Sequence, residues 1–252
     1  MSISISEADS VAVLTLDRPP ANALDVGILR SLVNAVDEFA GAPPAALVIA
    51  GRDPFFSAGV DLKAVTHYGP EERREMVASV NAMALGIYGL PCPVVGAITG
   101  HAVAGGLVLA VCTDIRIAST GGRYGLTEIK VGVSYPIAAI GVIRAELAPH
   151  AARVLALGNQ LVDAAEARRL GLFDEVAEPD DVLPRALQIA RELATYSPEM
   201  YARTKRDLRA GTLNALRTAV ADDPLAAGLG WLEDSAYRER ARSALGLASD
   251  AQ

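Results

Sequence analysis

Four short apolar runs, each bounded by Gly, Pro or Asp, set the fold of this chain more than any other feature: VAVLTL (Val11 to Leu16), ALVIAG (Ala46 to Gly51), PVVGAITG (Pro93 to Gly100) and DIRIAS (Asp114 to Ser119). Runs this short and this rich in β-branched residues read as buried strands. Helical patterns separate them. Asp25 stands as an N-cap before apolar residues at Ile28, Leu29, Leu32, Val33 and Val36, and Pro70 opens a segment carrying Met76, Val77, Val80, Met83 and Ala84 at helical spacing. Strands alternating with helices predict an α/β fold whose sheet is covered by helices. From about Pro149 the pattern turns helical, with only LFDEV (Leu172 to Val176) reading as a strand, and a weak boundary falls near residue 196. The expected organisation is a core over residues 1–195 and a helical C-terminal region over 196–252.

Several classes are excluded at this stage. A net charge of −7 with no local basic run argues against a nucleic-acid surface, which needs clustered Lys and Arg. No apolar stretch is long enough to span a bilayer and MSISISEADS is not a signal sequence, so no membrane partner is expected. The two cysteines, Cys92 and Cys112, sit among apolar residues as free buried thiols would, which points to a reducing, cytoplasmic setting. His67 and His150 have no partner at ligand spacing, so no metal is expected. His101 and Ser57 lack a Gly-x-Ser-x-Gly elbow and read as packing or lining residues.

Two glycine-bearing turns then ask for an explanation. In GHAVAGGLVLAVCTDIRIAS (Gly100 to Ser119) a Gly105-Gly106 pair opens a helical run, although each glycine inside a helix costs about 1 kcal/mol relative to alanine. In FFSAGVDLKAV (Phe55 to Val65) Gly59 turns the chain just past the strand ALVIAG. For that stretch alone, an ordinary strand-to-helix turn is an equal alternative. Together the two turns could supply a pair of backbone N–H donors at the helix starts, the makings of an oxyanion hole.

The chain resembles the enoyl-CoA hydratase/isomerase (crotonase) family at RPPANALD (Arg18 to Asp25), FSAGVDLK (Phe56 to Lys63), GHAVAGGLVLAVCTDIRIAS, YGLTEIKVGV (Tyr124 to Val133) and ALGNQLVDAAEARRLGLFDEV. These segments follow one another in order across roughly residues 10–177. The resemblance implies a spiral of ββα units, a C-terminal region that assembles homotrimers or hexamers, and an acyl-CoA thioester as substrate, with no cofactor beyond the coenzyme A that the substrate carries. It implies that the N–H groups of Val60 and Gly105 hold the thioester oxygen, and that the substrate lies along Ala21, Ala23, Ala58, Gly59, Asp61, Leu62, Lys63, Val108 and Thr127. Asp61 would hold its turn and Asp114 would end a helix.

The carboxylates separate the reactions of this family. Hydratases carry two; at the first of those positions this chain has Val108, and at the second it has Glu128. Two carboxylates hold and split water, whereas one suffices to move a proton. The pattern is therefore that of the single-glutamate 3,2-enoyl-CoA isomerases, with Glu128 as the base. The rivals are a hydratase, a hydrolase or lyase on the same scaffold, or a non-catalytic acyl-CoA carrier. Tyr135 and Tyr68 are candidates for the wall of an acyl pocket or for packing.

Overall fold

A computed structural model describes residues 3–223. The backbone is organised around a six-stranded sheet of order β1-β2-β3-β5-β7-β9, in which only the β1/β2 pair is antiparallel. Its strands are β1 (Ile3–Ala8), β2 (Val11–Leu16), β3 (Ala46–Ala50), β5 (Val94–Ile98), β7 (Ile115–Ser119) and β9 (Glu175–Ala177). Register places Val13 beside Val48, Val48 beside Val95 and Val95 beside Ile115. The central strands read as continuous apolar runs because both faces are covered, as parallel sheets require. One face meets α1 (Val26–Gly41) and α3 (Pro70–Gly89) through Leu14, Leu47 and Ile49, and the other meets Val182, Ala186 and Ala190 of α8 (Val182–Leu193).

A second, three-stranded parallel sheet is made of β4 (Phe55–Ser57), β6 (His101–Val103) and β8 (Tyr124–Gly125). Each of these follows a strand of the large sheet within a few residues and leads into a helix: β4 by way of α2 (Leu62–Val65) to α3, β6 to α4 (Gly105–Val111), and β8 to α5 (Ile137–Glu146). With β1-β2-α1 this makes four ββα units, the crotonase architecture. The short strands carry too few residues for a period of two to be readable, so sequence patterning missed them.

The helix starts follow their capping residues. Asp25 Oδ1 accepts the Ile28 N–H at 2.9 Å, and Pro70 is the first residue of α3. The expected strand at LFDEV begins later, at Glu175. Residues before it close α7 (Ala164–Arg169): Gly171 takes φ +75°, and the N–H groups of Leu172 and Gly171 donate to Ala167 and Arg168 carbonyls, both at 3.0 Å. That double bond around a left-handed glycine is a Schellman cap, which holds Leu172 out of the strand.

Asp114 departs from the expectation that it ends a helix. Helix α4 stops at Val111, and Asp114 instead accepts the Val94 N–H at 2.8 Å, pairs with Lys205 at 2.8 Å and with Arg209 at 2.9 Å, and takes the Tyr201 hydroxyl at 3.1 Å. Lys205 and Arg209 belong to α9 (Pro198–Asp222), whose buried stripe is Lys205, Arg209, Leu213 and Leu216. This helix lies in the region expected from 196 onward and packs on α3 and α5; residues 224–252 lie outside the described ones. Among the described residues no helix is long and apolar enough to cross a membrane. Cys92 and Cys112 are free and buried, and burial pushes their thiols up to about 11 and about 12.

Candidate active site

The segments that follow the three small strands converge with α3 on a cavity of about 110 Å³. The first segment contributes Ala58, Val60 and Leu62; the second Ala104, Gly105 and Val108; the third Thr127, Glu128 and Val131 to Pro136 except Gly132. Helix α3 contributes Met76, Val77 and Val80, and α5 contributes Ala139. A site beyond the ends of parallel strands is where such sheets leave room for a ligand.

The first turn is held by a polar clamp drawn from RPPANALD. Asn22, buried, donates from Nδ2 to the carbonyls of Phe55 and Phe56 at 3.0 and 3.2 Å. Ser57 Oγ donates to the Asn22 carbonyl at 2.7 Å and accepts the Gly59 N–H at 3.1 Å. Arg18 joins the ends of the two motifs, pairing with Asp25 at 3.0 Å and Asp61 at 2.8 Å. Asp61 also accepts the Ala64 N–H at 3.0 Å, so it does hold its turn. Gly59 sits at φ +81°, in the left-handed region that glycine alone enters without cost.

Sequence logic gave the Gly105-Gly106 pair one explanation; the structure supplies two. A Cβ on Gly106 would stand 2.2 Å from the Ser57 carbonyl oxygen, so that glycine is required by packing. A Cβ on Gly105 would meet protein only at ordinary distances, with Val60 N at 3.6 Å. What Gly105 keeps bare is the space beside the Val60 N–H. Neither the Val60 nor the Gly105 N–H donates to another described residue, and both residues line the cavity. Ala104 makes the turn between β6 and α4 with φ +51°, a strained conformation for a residue with a Cβ, of order 1–3 kcal/mol. No sequence signal marks Ala104, because its conformation is imposed by the Ala104 N–H bond to the Gly125 carbonyl at 2.8 Å on β8.

Glu128 begins the third segment. Its carbonyl accepts the N–H groups of Val131 and Val133 at 3.1 and 2.8 Å, curling the loop so that its side chain points into the cavity. The residue is 8% exposed and its Oε2 has no hydrogen-bond partner. Burial pushes its carboxyl up to about 7, with the Tyr135 hydroxyl and the Glu128 N–H pulling the other way. Val108, buried on the first turns of α4, lines the same cavity, and Glu128 is the one carboxylate among the described lining residues. The arrangement offers a proton acceptor near neutrality and two free N–H donors around an apolar space.

Of the residues expected along the substrate, Ala58, Val60, Leu62, Gly105, Val108, Thr127 and Glu128 come together here, and Ala21, Ala23, Gly59, Asp61 and Lys63 do not line the cavity. Their visible work is support: the Ala21 carbonyl accepts the Ala58 N–H at 2.9 Å, the Ala23 carbonyl accepts Arg18 at 3.0 Å, and Lys63 is exposed. Tyr135 lines the cavity, whereas the Tyr68 hydroxyl accepts the Val26 N–H at 3.1 Å and belongs to the packing. His101 accepts the Arg123 N–H at 2.9 Å and stacks edge-on against Phe55, which makes it a packing residue. The apolar wall from α3 went unassigned in the sequence because core and pocket residues share one helical stripe.

Comparison with known proteins identifies the family and the fold. A putative enoyl-CoA hydratase from Thermus thermophilus is 36% identical over 209 residues, which cover 81% of this chain and 82% of the relative. A Mycobacterium tuberculosis chain has been described both as a probable enoyl-CoA hydratase and as an enoyl-CoA isomerase. Its two structures, each 32% identical, superpose with TM-scores of 0.82 and 0.81, cover 90% and 87% of this chain, and are themselves covered to 98% and 96%. The human mitochondrial delta3-delta2-enoyl-CoA isomerase, 24% identical, shares the fold with a TM-score of 0.90 over 98% of this chain and 97% of its own. The family model for enoyl-CoA hydratase/isomerase matches residues 6–225, and the protein is an enzyme that belongs to this family.

Proposed function

We propose that the protein converts 3-enoyl-CoA to trans-2-enoyl-CoA. The observation that carries this reading is that Glu128 is the one carboxylate among the described lining residues of a cavity that Val108, at the position where the family resemblance gives hydratases a second carboxylate, also lines. Glu128 takes a proton from C2 of the acyl group, and the electron pair moves onto the thioester oxygen between the N–H groups of Val60 and Gly105. The protonated Glu128 then returns the proton at C4, leaving the double bond between C2 and C3. No group beyond the substrate's own coenzyme A is needed. The apolar walls keep bulk water away from the dienolate, and the description of the M. tuberculosis relative as an isomerase supports the assignment.

A hydratase is the second reading, favoured by the name of the Thermus relative. The two separate on the wild type. A 3-enoyl-CoA should be isomerised at least about a hundredfold faster than crotonyl-CoA is hydrated, the scale of one missing acid–base group. Equal rates would overturn the isomerase reading.

The oxyanion site has its own test in the glycine pair. Gly105→Ala should melt close to wild type, because its Cβ meets no protein atom nearer than 3.6 Å. Turnover should fall on the order of a hundredfold as the methyl crowds the oxygen held beside Val60 N–H. Gly106→Ala should instead lower the melting temperature first, since its Cβ would overlap the Ser57 carbonyl. A Gly105→Ala enzyme with full turnover would mean that the thioester oxygen does not occupy the space beside Gly105.

We place the enzyme in the cytoplasm, where two buried free thiols persist, and propose a homotrimer or a pair of trimers. The exposed Leu157, Leu161 and Leu208 are side chains that an assembly would cover.

A further inference from the structure

Two polar atoms in the cavity are shut off from solvent without a hydrogen-bond partner: Glu128 Oε2 and the Tyr135 hydroxyl oxygen. They belong to the same loop and line the same space. A buried carboxylate oxygen left without a donor is costly, and so is an orphaned hydroxyl; the two groups act on each other electrostatically, so each can satisfy the other. The elements packed around the carboxylate bring no charged group to it: α3 presents Met76, Val77 and Val80, α4 presents Gly105 and Val108, α5 presents Ala139, the loop's own Thr127 and Ser134 are uncharged hydroxyl residues, and the nearby Lys130 is exposed.

We propose that Tyr135 is a positioning residue for Glu128, its phenol donating a hydrogen bond to the carboxylate when that group ionises and fixing which oxygen faces the substrate. The inference rests on the reading of Glu128 as the proton-transferring base. Burial and the adjacent Glu128 both push the Tyr135 hydroxyl up, so it keeps its proton throughout the cycle and acts only as a donor. By favouring the charged form, the bond holds the acid of Glu128 below the value that burial alone would set.

The test compares wild type, Tyr135→Phe and Glu128→Gln by carbon-13 NMR of labelled glutamate carboxyls, the Glu128 signal being the one that Glu128→Gln removes. Tyr135→Phe should raise the Glu128 midpoint by about one pH unit, a tenfold tighter proton, as expected for loss of a donor to the charged form. Isomerase turnover of that variant should fall about tenfold a unit below the wild-type midpoint and return to within about twofold on the alkaline plateau, with KM little changed. In wild type, where folding of a variant is not at issue, the Tyr135 ring-carbon resonance next to oxygen should move with the Glu128 midpoint. An unmoved Glu128 midpoint, a flat Tyr135 resonance, or a rate loss equal at every pH would overturn the proposal. If Glu128→Gln stays active while the midpoint still moves, the pairing stands and the reading of Glu128 as the base is what fails.

Discussion

Glu128→Gln is expected to lose isomerase turnover by a factor of roughly 10²–10⁴, the range that a positioned general base contributes. The amide is nearly isosteric with the carboxyl and cannot accept the C2 proton, so acyl-CoA binding should survive. The stability of this variant should move the other way. The Glu128 carboxyl titrates near 7 when folded and near 4.5 when exposed, so between those values the native state binds the proton that the unfolded chain has released. The stability that this protonated group lends is complete below about pH 4.5 and is lost as pH rises through about 7. Above neutrality the buried charge costs up to about 3 kcal/mol, and glutamine carries no such charge. Melting curves should therefore separate in favour of Glu128→Gln as pH is raised from about 5 to about 8, while wild-type kcat/KM climbs toward a plateau with a midpoint near 7. A variant that keeps more than about a tenth of wild-type turnover is not missing its base, and an acyl-CoA carrier becomes the better account.

The largest structural effect is expected at Asp114. Its side chain is 9% exposed, and it faces the ammonium of Lys205 and the guanidinium of Arg209, which are 8% and 10% exposed. Burial pushes the Lys205 ammonium down, and Asp114 is the main group holding it up. The network continues through Arg209, which lies 3.9 Å over the Tyr88 ring and 3.7 Å from Glu146, to Arg116. Asp114→Ala takes the counter-charge from Lys205 and leaves Arg209 only Glu146 at 3.7 Å, in the interface that holds α9 to the core, a change worth about 3–5 kcal/mol. Denaturant midpoints should fall accordingly, and amide exchange in α9 should rise before exchange in the central strands. Adding Lys205→Met and Arg209→Leu should recover most of the loss, because an apolar trio needs no counter-charge. A loss under about 1 kcal/mol for Asp114→Ala would mean that Leu213 and Leu216 hold the helix on their own.

The legibility of this protein follows the range of the forces involved. Strands β2, β3, β5 and β7 and the starts of α1 and α3 could be read directly, because burial on a sheet and capping by Asp25 or Pro70 act between residues close in the chain. Part of the candidate site was legible too: Gly105, Val108 and Glu128 stood out in their motifs and line the cavity, whereas Gly59, singled out with them, does not. Tertiary structure alone decided the rest. The two- and three-residue strands β4, β6 and β8 exist because each pairs with a neighbour some 20–50 residues away, and Ala104 adopts its strained turn because β8 holds its N–H. Only packing distinguishes Gly106, pressed on Ser57, from Gly105, open to the cavity. Asp114 looked local and proved to be the anchor for a helix that begins at Pro198. The acidity of Glu128 is decided in the same way: a carboxyl is brought near neutral pH by the water that is excluded around it, and walls drawn from residues 58 to 139 do the excluding.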